Sequence, residues 1–168
     1  MFKIDSIKIL TAEIPDEISL GISVKGCPKR CEGCHSSYLW DIGDLGTLGE
    51  ENSSDSYEVS LGEIEQALKR YEKAGLTCIL FLGGDWEHML LESLLRHLKA
   101  HYDLKLALYT GCNLDELLGL SELLETLDYL KVGPYMQELG GLSSRKTNQK
   151  LFKIQDKNLL DITYHFWR

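Results

Sequence analysis

The sequence predicts an α/β fold with a mainly parallel sheet, because apolar strand patterns alternate with helical patterns along most of the chain. The clearest strand is the continuous apolar run Cys78–Leu82, which is typical of a strand covered on both faces. Residues 104–109 and Tyr129–Val132 form similar runs, and all three runs stop at a glycine-containing turn. Because about four central strands are too few for a closed eight-stranded barrel, we expect an open, partial β/α barrel with its site at the carboxyl ends of the strands.

Length and composition indicate a single domain spanning residues 1–168. The 18 basic and 26 acidic residues give a net charge of −8, which disfavours nucleic acid as a partner because phosphate binding needs a basic surface. Five cysteines is an odd number, and the N-terminus lacks the apolar segment of a signal peptide. We therefore expect a reducing cytoplasm and no disulfide loop. No apolar run approaches the ~20 residues that cross a bilayer, so no membrane partner is expected.

Two strand patterns and a polar loop make up the N-terminal third. Residues 4–10 alternate loosely and predict an edge strand. Residues 18–24 alternate apolar and small side chains, as in a strand with one buried face. Residues 41–57 are rich in Gly, Asp and Ser without any period, which predicts an exposed loop.

Three helices are predicted in the remainder. The segment Ser60-Leu61-Gly62-Glu63 is a capping box, and the helix that it opens ends at Gly75. A second helix covers His88–His101. Asn113 and Glu116 form the cap of a third helix, which runs to about residue 127. Two short strand patterns complete the chain, at residues 151–154 and 162–167.

Three cysteines, Cys27, Cys31 and Cys34, lie within eight residues in a turn-rich loop after the strand pattern at 18–24. Thiolates are preferred ligands of soft metals and iron–sulfur clusters. A cubane cluster has four irons, so a motif of three cysteines leaves one iron open to a substrate. Structural zinc with His35 as fourth ligand is the alternative, and it is disfavoured because zinc sites usually join two separated ligand pairs.

Other unusual residues also follow predicted strands, namely Gly83-Gly84-Asp85, Thr110-Gly111 and Lys131-Val132-Gly133-Pro134. Because the carboxyl ends of parallel strands meet at one edge, we expect these turns to surround the cysteine loop. Cys112 lies at the same rim, either as a functional thiol or as an exposed turn residue. Lys29 and Arg30 either dock an acidic electron donor or belong to a solvated basic turn.

These motifs resemble the radical S-adenosylmethionine superfamily, and more closely the activating proteins of anaerobic ribonucleoside-triphosphate reductase. The resemblance is carried by residues 25–36 and 39–41, Phe81 to Trp86, Ala107 to Gly111, Lys131 to Tyr135, Glu138-Leu139 and Thr147 to Gln149. The blocks lie in the expected order and cover most of residues 18–154.

The resemblance implies a radical S-adenosylmethionine domain with a [4Fe-4S] cluster on Cys27, Cys31 and Cys34 and S-adenosyl-L-methionine at the fourth iron. It implies an oxidoreductase that cleaves this cofactor to methionine and a 5′-deoxyadenosyl radical, which takes hydrogen from a glycine of the reductase catalytic subunit. It also implies a reduced electron donor, such as flavodoxin, as a partner. The implied cofactor-binding residues are Gly33, Cys34, His35, Gly83, Gly84, Asp85, Thr110 and Lys131.

Within this set, Gly83-Gly84-Asp85 matches the turn at the methionyl end of the cofactor, where a carboxylate can pair with an ammonium group. Residues 33–35 match the backbone segment beside the adenine. Gly33 stands where much of the superfamily has an aromatic residue, so ring stacking is not expected there. We predict residues 139–149 as a loop that docks the partner.

Three alternatives to this function remain. The chain acts on another glycyl-radical enzyme, acts on a small molecule in the manner of a deazaguanine-forming synthase, or serves as a non-catalytic metal or electron-carrier module. The short chain disfavours the second alternative, because few residues remain to enclose a small substrate.

Overall fold

The computed structural model describes residues 3–41, 53–117 and 121–167. Its strands are β1 Lys3–Leu10, β2 Ser19–Lys25, β3 Cys78–Leu82, β4 Lys105–Tyr109, β5 Tyr129–Val132, β6 Lys150–Gln155 and β7 Asn158–Asp161. Its α-helices are α1 Ser53–Arg70, α2 His88–His101, α3 Leu114–Leu117 and α4 Ser121–Thr126. No helix in these described ranges is long and apolar enough to cross a bilayer.

The seven strands form one open sheet in sequence order, with β1 and β7 at its two edges in the part of the chain that the structure describes. Strands β2 to β5 are mutually parallel, whereas β1, β6 and β7 join antiparallel. The parallel pairings are therefore confined to the centre of the sheet. The four central strands end at the same edge, and the turns that follow them meet there.

One face of the sheet carries the helices. Alternate strand residues such as Ile22, Phe81 and Leu108 point to this face, where they pack with apolar residues of α1, α2 and α4. The helical residues at this face are Ile64, Ala67, Leu68, Leu91, Leu94, Leu95, Leu98 and Leu123. Burial of this large apolar surface is the main stabilising contribution to the fold.

The opposite face is covered by irregular segments instead of helices. Cys78, Leu80, Ala107, Tyr129 and Leu151 form a smaller apolar cluster on this face. The segments that cover it contribute Ile14, Leu142, Ile162 and Phe166. The carboxyl-terminal half of this face is left to line a cavity.

Two of the predicted element boundaries are wrong. Helix α1 begins at Ser53, so Ser60 is not its cap, and the last residues of the predicted 41–57 loop are helical. Ser60 is 3% exposed, and it shares the buried face of α1 with Ile64, which lies one turn further on. Most of the predicted loop, residues 42–52, lies outside the described residues.

The strand predicted at residues 162–167 is the second error. The final strand is β7, and Thr163–Phe166 forms a 3₁₀ turn. Asp156 and Lys157 both have positive φ values, of 51° and 63°, so β6 turns back into β7 earlier than the apolar pattern indicates. By contrast, the helix predicted at His88–His101 is confirmed at the same bounds.

The third predicted helix is present in two described parts, α3 and α4, while residues 118–120 lie outside the described chain. Its predicted cap is confirmed in part, because the backbone N–H of Asn113 donates to Glu116 Oε2 at 2.6 Å.

Candidate iron–sulfur site

A cavity of about 500 Å³ lies at the carboxyl edge of the central strands. All three thiols of the cysteine loop line it, together with the turns that follow β3, β4 and β5. The charged, aromatic and thiol-bearing residues of the lining are Lys8, Glu13, Cys27, Lys29, Cys31, Cys34, His35, Tyr38, Trp40, Asp85, Trp86, Tyr109, Lys131 and Tyr135, and Thr110 and Gln149 are among its other polar residues. The sequence prediction that these turns meet around the cysteine loop is therefore confirmed.

The cysteine loop leaves β2 and is closed at its base by Leu39. The backbone N–H groups of Gly26 and Cys27 both donate to the Leu39 carbonyl, at 2.8 and 3.1 Å. Leu39 is buried at the end of a 3₁₀ turn, so this closure is fixed to the core. Within the loop, Gly26 and Gly33 adopt φ values of 91° and 72°, which favour glycine. This path allows three thiols to share one cavity within so short a segment.

The three thiols are free and half-buried. Among the residues that the structure describes, no three His, Cys, Asp or Glu side chains are grouped to hold a single metal ion. A zinc centre needs its ligand atoms within about 2.0–2.3 Å of one ion, and the three thiols and His35 are not grouped in that way. In a cubane cluster each cysteine binds a different iron, and the donors surround a larger body. Three thiols that open into one cavity fit that arrangement.

The surroundings of Cys27 shift the pKa of its thiol. Burial raises the pKa of Cys27, while the backbone N–H groups of Lys29 and Arg30 lower it, and the net shift is upward. Because a cluster ligand is a thiolate, these two N–H groups supply hydrogen bonds to the form that binds metal.

The turn after β3 brings a carboxylate to the cavity. Gly83 and Gly84 have φ values of 88° and 99°. A Cβ atom at Gly83 would lie 2.8 Å from the Trp86 ring, so only glycine fits there. Asp85 lines the cavity, and its Oδ2 accepts a hydrogen bond from the thiol of Cys112 at 3.3 Å.

Lys131 brings a cation to the same cavity. Its side chain is 8% exposed, and its Nζ donates to the Gly133 carbonyl at 2.9 Å and to the Thr110 carbonyl at 3.4 Å. Burial lowers the pKa of Lys131 to about 8, although the thiols of Cys31 and Cys34 raise it. The Gly133 carbonyl also accepts from Gln149 Nε2 at 3.2 Å.

The predicted binding residues divide into two groups. Cys34, His35, Gly83, Asp85, Thr110 and Lys131 line the cavity. Gly33 and Gly84 instead shape the turns beside it. A Cβ atom at Gly33 would lie 2.6 Å from Gln137 Oε1, so the chain after β5 occupies the space beside this position. The hydroxyl of Thr110 accepts the backbone N–H of Cys112 at 2.9 Å, which gives it a role in the turn itself.

Sequence reasoning missed several wall residues because they come from distant segments. Tyr109 donates from its hydroxyl to the Glu13 carbonyl, and Glu13 itself lines the cavity. Burial raises the pKa of Tyr109, so it stays a neutral donor. Leu142 and Gln149 lie inside the segment predicted as a docking loop, yet both line the cavity. The alternation of β4 indicates the position of Tyr109, but nothing local indicates its partner.

A family model described as "4Fe-4S single cluster domain" matches residues 18–154. The match begins just before β2 and ends within β6, so it includes the cysteine loop and all four central strand ends. Searches of the curated proteins and of the solved structures find no significant match. The match covers most of the chain and contains the three cavity-lining cysteines, and the chain therefore belongs to the family of 4Fe-4S single cluster domains.

Proposed function

We propose that this protein is a radical S-adenosylmethionine enzyme that generates a glycyl radical on anaerobic ribonucleoside-triphosphate reductase. The observation that carries the proposal is that the three cysteines of the loop, the carboxylate of Asp85 and the buried ammonium group of Lys131 line the same cavity. The volume of the cavity, about 500 Å³, lies in the range of small-molecule sites. The partial-barrel fold of that superfamily is part of the same proposal.

The charged residues suit the amino acid end of S-adenosylmethionine. Asp85 offers a carboxylate to the α-ammonium group, and Lys131 offers an ammonium group to the α-carboxylate. Lys131 is held by two backbone carbonyls, so its Nζ is already positioned before a ligand enters. Gly83 gives the backbone close access to the same end of the ligand.

When bound, the cluster and S-adenosylmethionine supply one-electron cleavage to methionine and a 5′-deoxyadenosyl radical, which becomes 5′-deoxyadenosine by taking one hydrogen atom from a glycine. The contribution of the chain is to hold both ends of the ligand and to exclude water. Trp86, Tyr109 and Leu142 supply apolar surface to the cavity for this purpose.

A protein substrate is supported by the exposed mouth of the cavity. Tyr38, which lines the cavity, is 55% exposed, and Met136, which follows the lining residue Tyr135, is 39% exposed. These two side chains offer apolar surface beside the cavity for a partner to cover. Because Leu142 and Gln149 form the cavity wall, the docking role of the 139–149 loop rests on its exposed residues Ser143, Arg145 and Lys146.

Arg30 offers an exposed cation for an acidic donor such as reduced flavodoxin in the cytoplasm.

The test is anaerobic reconstitution with iron and sulfide, followed by incubation with S-adenosylmethionine, dithionite and the catalytic subunit of a candidate reductase. We expect stoichiometric 5′-deoxyadenosine and a glycyl doublet by electron paramagnetic resonance. Cys31→Ala should abolish both products, whereas Cys78→Ala should retain them because Cys78 is buried in the smaller apolar cluster and does not line the cavity. Cluster binding without any 5′-deoxyadenosine would refute the proposal.

A non-catalytic electron carrier is the second candidate, because the family description names a cluster and no second cofactor. The two functions differ in ligand binding. An electron carrier does not change its cluster spectrum when S-adenosylmethionine is added, whereas an enzyme that binds the ligand at the fourth iron does.

A further inference from the structure

Lys29 lies between two cluster cysteines, and its side chain leaves the loop towards the turn after β4. The stem crosses Gly111, where an added Cβ atom would lie 3.1 Å from Lys29 Cγ. Its Nζ reaches Glu116 Oε1 at 2.6 Å. The Lys29–Glu116 ion pair therefore joins the cysteine loop to the first turn of α3, and it is not a contact within one turn.

Glu116 is itself fixed. Its second carboxylate oxygen accepts the backbone N–H of Asn113 at 2.6 Å, as in a capping box. The lysine therefore pairs with an oxygen whose position is set by the backbone at the start of α3. Such a partner loses less side-chain freedom on pairing than a mobile surface carboxylate does.

The same turn contacts the carboxylate of the cavity. Cys112 lies next to Gly111, and its thiol donates to Asp85 Oδ2 at 3.3 Å. Its backbone N–H is held by the hydroxyl of Thr110. The turn after β4 therefore contacts the cysteine loop on one side and the turn after β3 on the other.

The neighbouring cation shows a different environment. Arg30 pairs with Asp41 at 3.6 Å, and the two side chains are 65% and 86% exposed. Those of Lys29 and Glu116 are 31% and 41% exposed. Lys29 and Arg30 are neighbours in one loop, but the ion pair of Arg30 is solvated and that of Lys29 is partly covered, so the two pairs can be compared.

We infer that the Lys29–Glu116 pair is a latch that positions the cysteine loop against the turn after β4 before the cluster binds. Lys29 and Glu116 are positioning residues that act through the loop, and Lys29 is not a docking charge for the electron donor. The inference rests on the proposed binding of the cluster by this loop, within a chain that belongs to a 4Fe-4S family, and it holds whether or not the protein performs radical chemistry.

The test measures hydrogen–deuterium exchange of residues 26–36 in the full chain without cluster. Lys29→Met keeps the stem and removes the charge, and Glu116→Gln keeps the shape of its partner. We expect each variant to increase loop exchange ~5-fold, as loss of a modest ion pair allows. The double variant should add little to either single one. Arg30→Met is the matched control, and Lys29→Arg should restore protection.

A second readout uses the reconstituted protein under anaerobic conditions. Lys29→Met should release iron to a chelator several-fold faster than the wild type, while Arg30→Met should not. Exchange of the amides of β4 is the internal reference, because general destabilisation would raise it as well. Three results would overturn the inference. They are equal loop exchange in Lys29→Met and Arg30→Met, additive effects of the two changes in the double variant, and exchange in Lys29→Arg as fast as in Lys29→Met. Absence of 5′-deoxyadenosine would contradict the proposed function only.

Discussion

Replacing Glu17 by glutamine tests whether a buried charge holds the wall of the cavity in place. Glu17 is 5% exposed, and its Oε1 accepts from the Tyr129 hydroxyl at 2.7 Å and from Lys105 Nζ. These bonds tie the segment before β2 to β4 and β5. Ile14 and Glu13, which help to cover the sheet and to line the cavity, lie on the same segment.

The magnitude follows from the burial of the two donors. Tyr129 is 4% exposed and loses a charged acceptor, whereas half-exposed Lys105 regains water. A hydrogen bond to a charged group contributes about 1.5–3 kcal/mol, so we expect Glu17→Gln to lower the free energy of unfolding by about that amount. For a chain of this size the corresponding drop in melting temperature is roughly 3–12 °C.

The effect also has a defined pH dependence. Burial raises the pKa of Glu17, but hydrogen bonds from Lys105, Thr77 and Tyr129 lower it more, and the net shift is downward. A carboxylate with a lowered pKa stabilises the fold above its ordinary pKa of about 4.3 and loses this contribution as the pH falls through the folded-state value. The difference in the free energy of unfolding between the wild type and Glu17→Gln should therefore be largest at neutral pH and should shrink in acid.

The assay is urea denaturation of the full chain at neutral pH and at a series of pH values falling from about 4.3. The matched control is Glu122→Gln, which removes a pair of similar length, 2.7 Å to Arg96, that is mostly exposed. That control should cost less than about 1 kcal/mol. The reasoning would be refuted if the two variants were equally stable, or if the deficit of Glu17→Gln persisted unchanged in acid.

Two further predictions concern the cavity. Gly33→Phe should lower the iron content after reconstitution, because Gly33 has φ 72° and a Cβ atom there would lie 2.6 Å from Gln137 Oε1. Adding Gln137→Ala should recover part of the lost iron content. No recovery would show that the backbone conformation of Gly33 alone is responsible. Lys131→Met should leave the fold intact and weaken S-adenosylmethionine binding ~10-fold in equilibrium dialysis, since the apolar stem is kept and the ammonium group is lost. The exposed Lys150, which pairs with Asp161, provides the control Lys150→Met, and equal affinity in the two variants would contradict the role given to Lys131.

The sequence allowed the central strands and the convergence of their ends to be predicted, because both follow from local patterns. The run Cys78–Leu82 is apolar throughout, and it is a central strand buried along most of its length. Once such strands are parallel, their carboxyl ends share an edge, so Cys34, Asp85 and Lys131 were placed together without knowledge of any contact. The spacing of the cysteines carried the cluster prediction in the same way.

What could not be predicted depends on contacts between distant segments. The pairing of Glu17 with Lys105 joins residues that lie 88 positions apart, and no periodicity indicates it. The start of α1 was missed because Ser60 and Glu63 fit a capping box, whereas the helix runs through both residues and Ser60 is buried beside Ile64. A local signal loses to packing when the packing buries more apolar surface.

The face of the sheet that carries no helices bears on whether the substrate is a protein or a small molecule. Irregular segments cover this face, with Ile14 before β2 and Leu142 after β5. They close the cavity at its side, while Tyr38 and Met136 remain exposed beside its mouth. A small substrate needs a pocket that buries most of its surface, and the residues that the structure describes leave Tyr38 and Met136 uncovered beside this one. Under the proposed function, a glycine on a partner loop would bring that covering with it, because the partner surface would itself exclude water on docking against the exposed apolar residues.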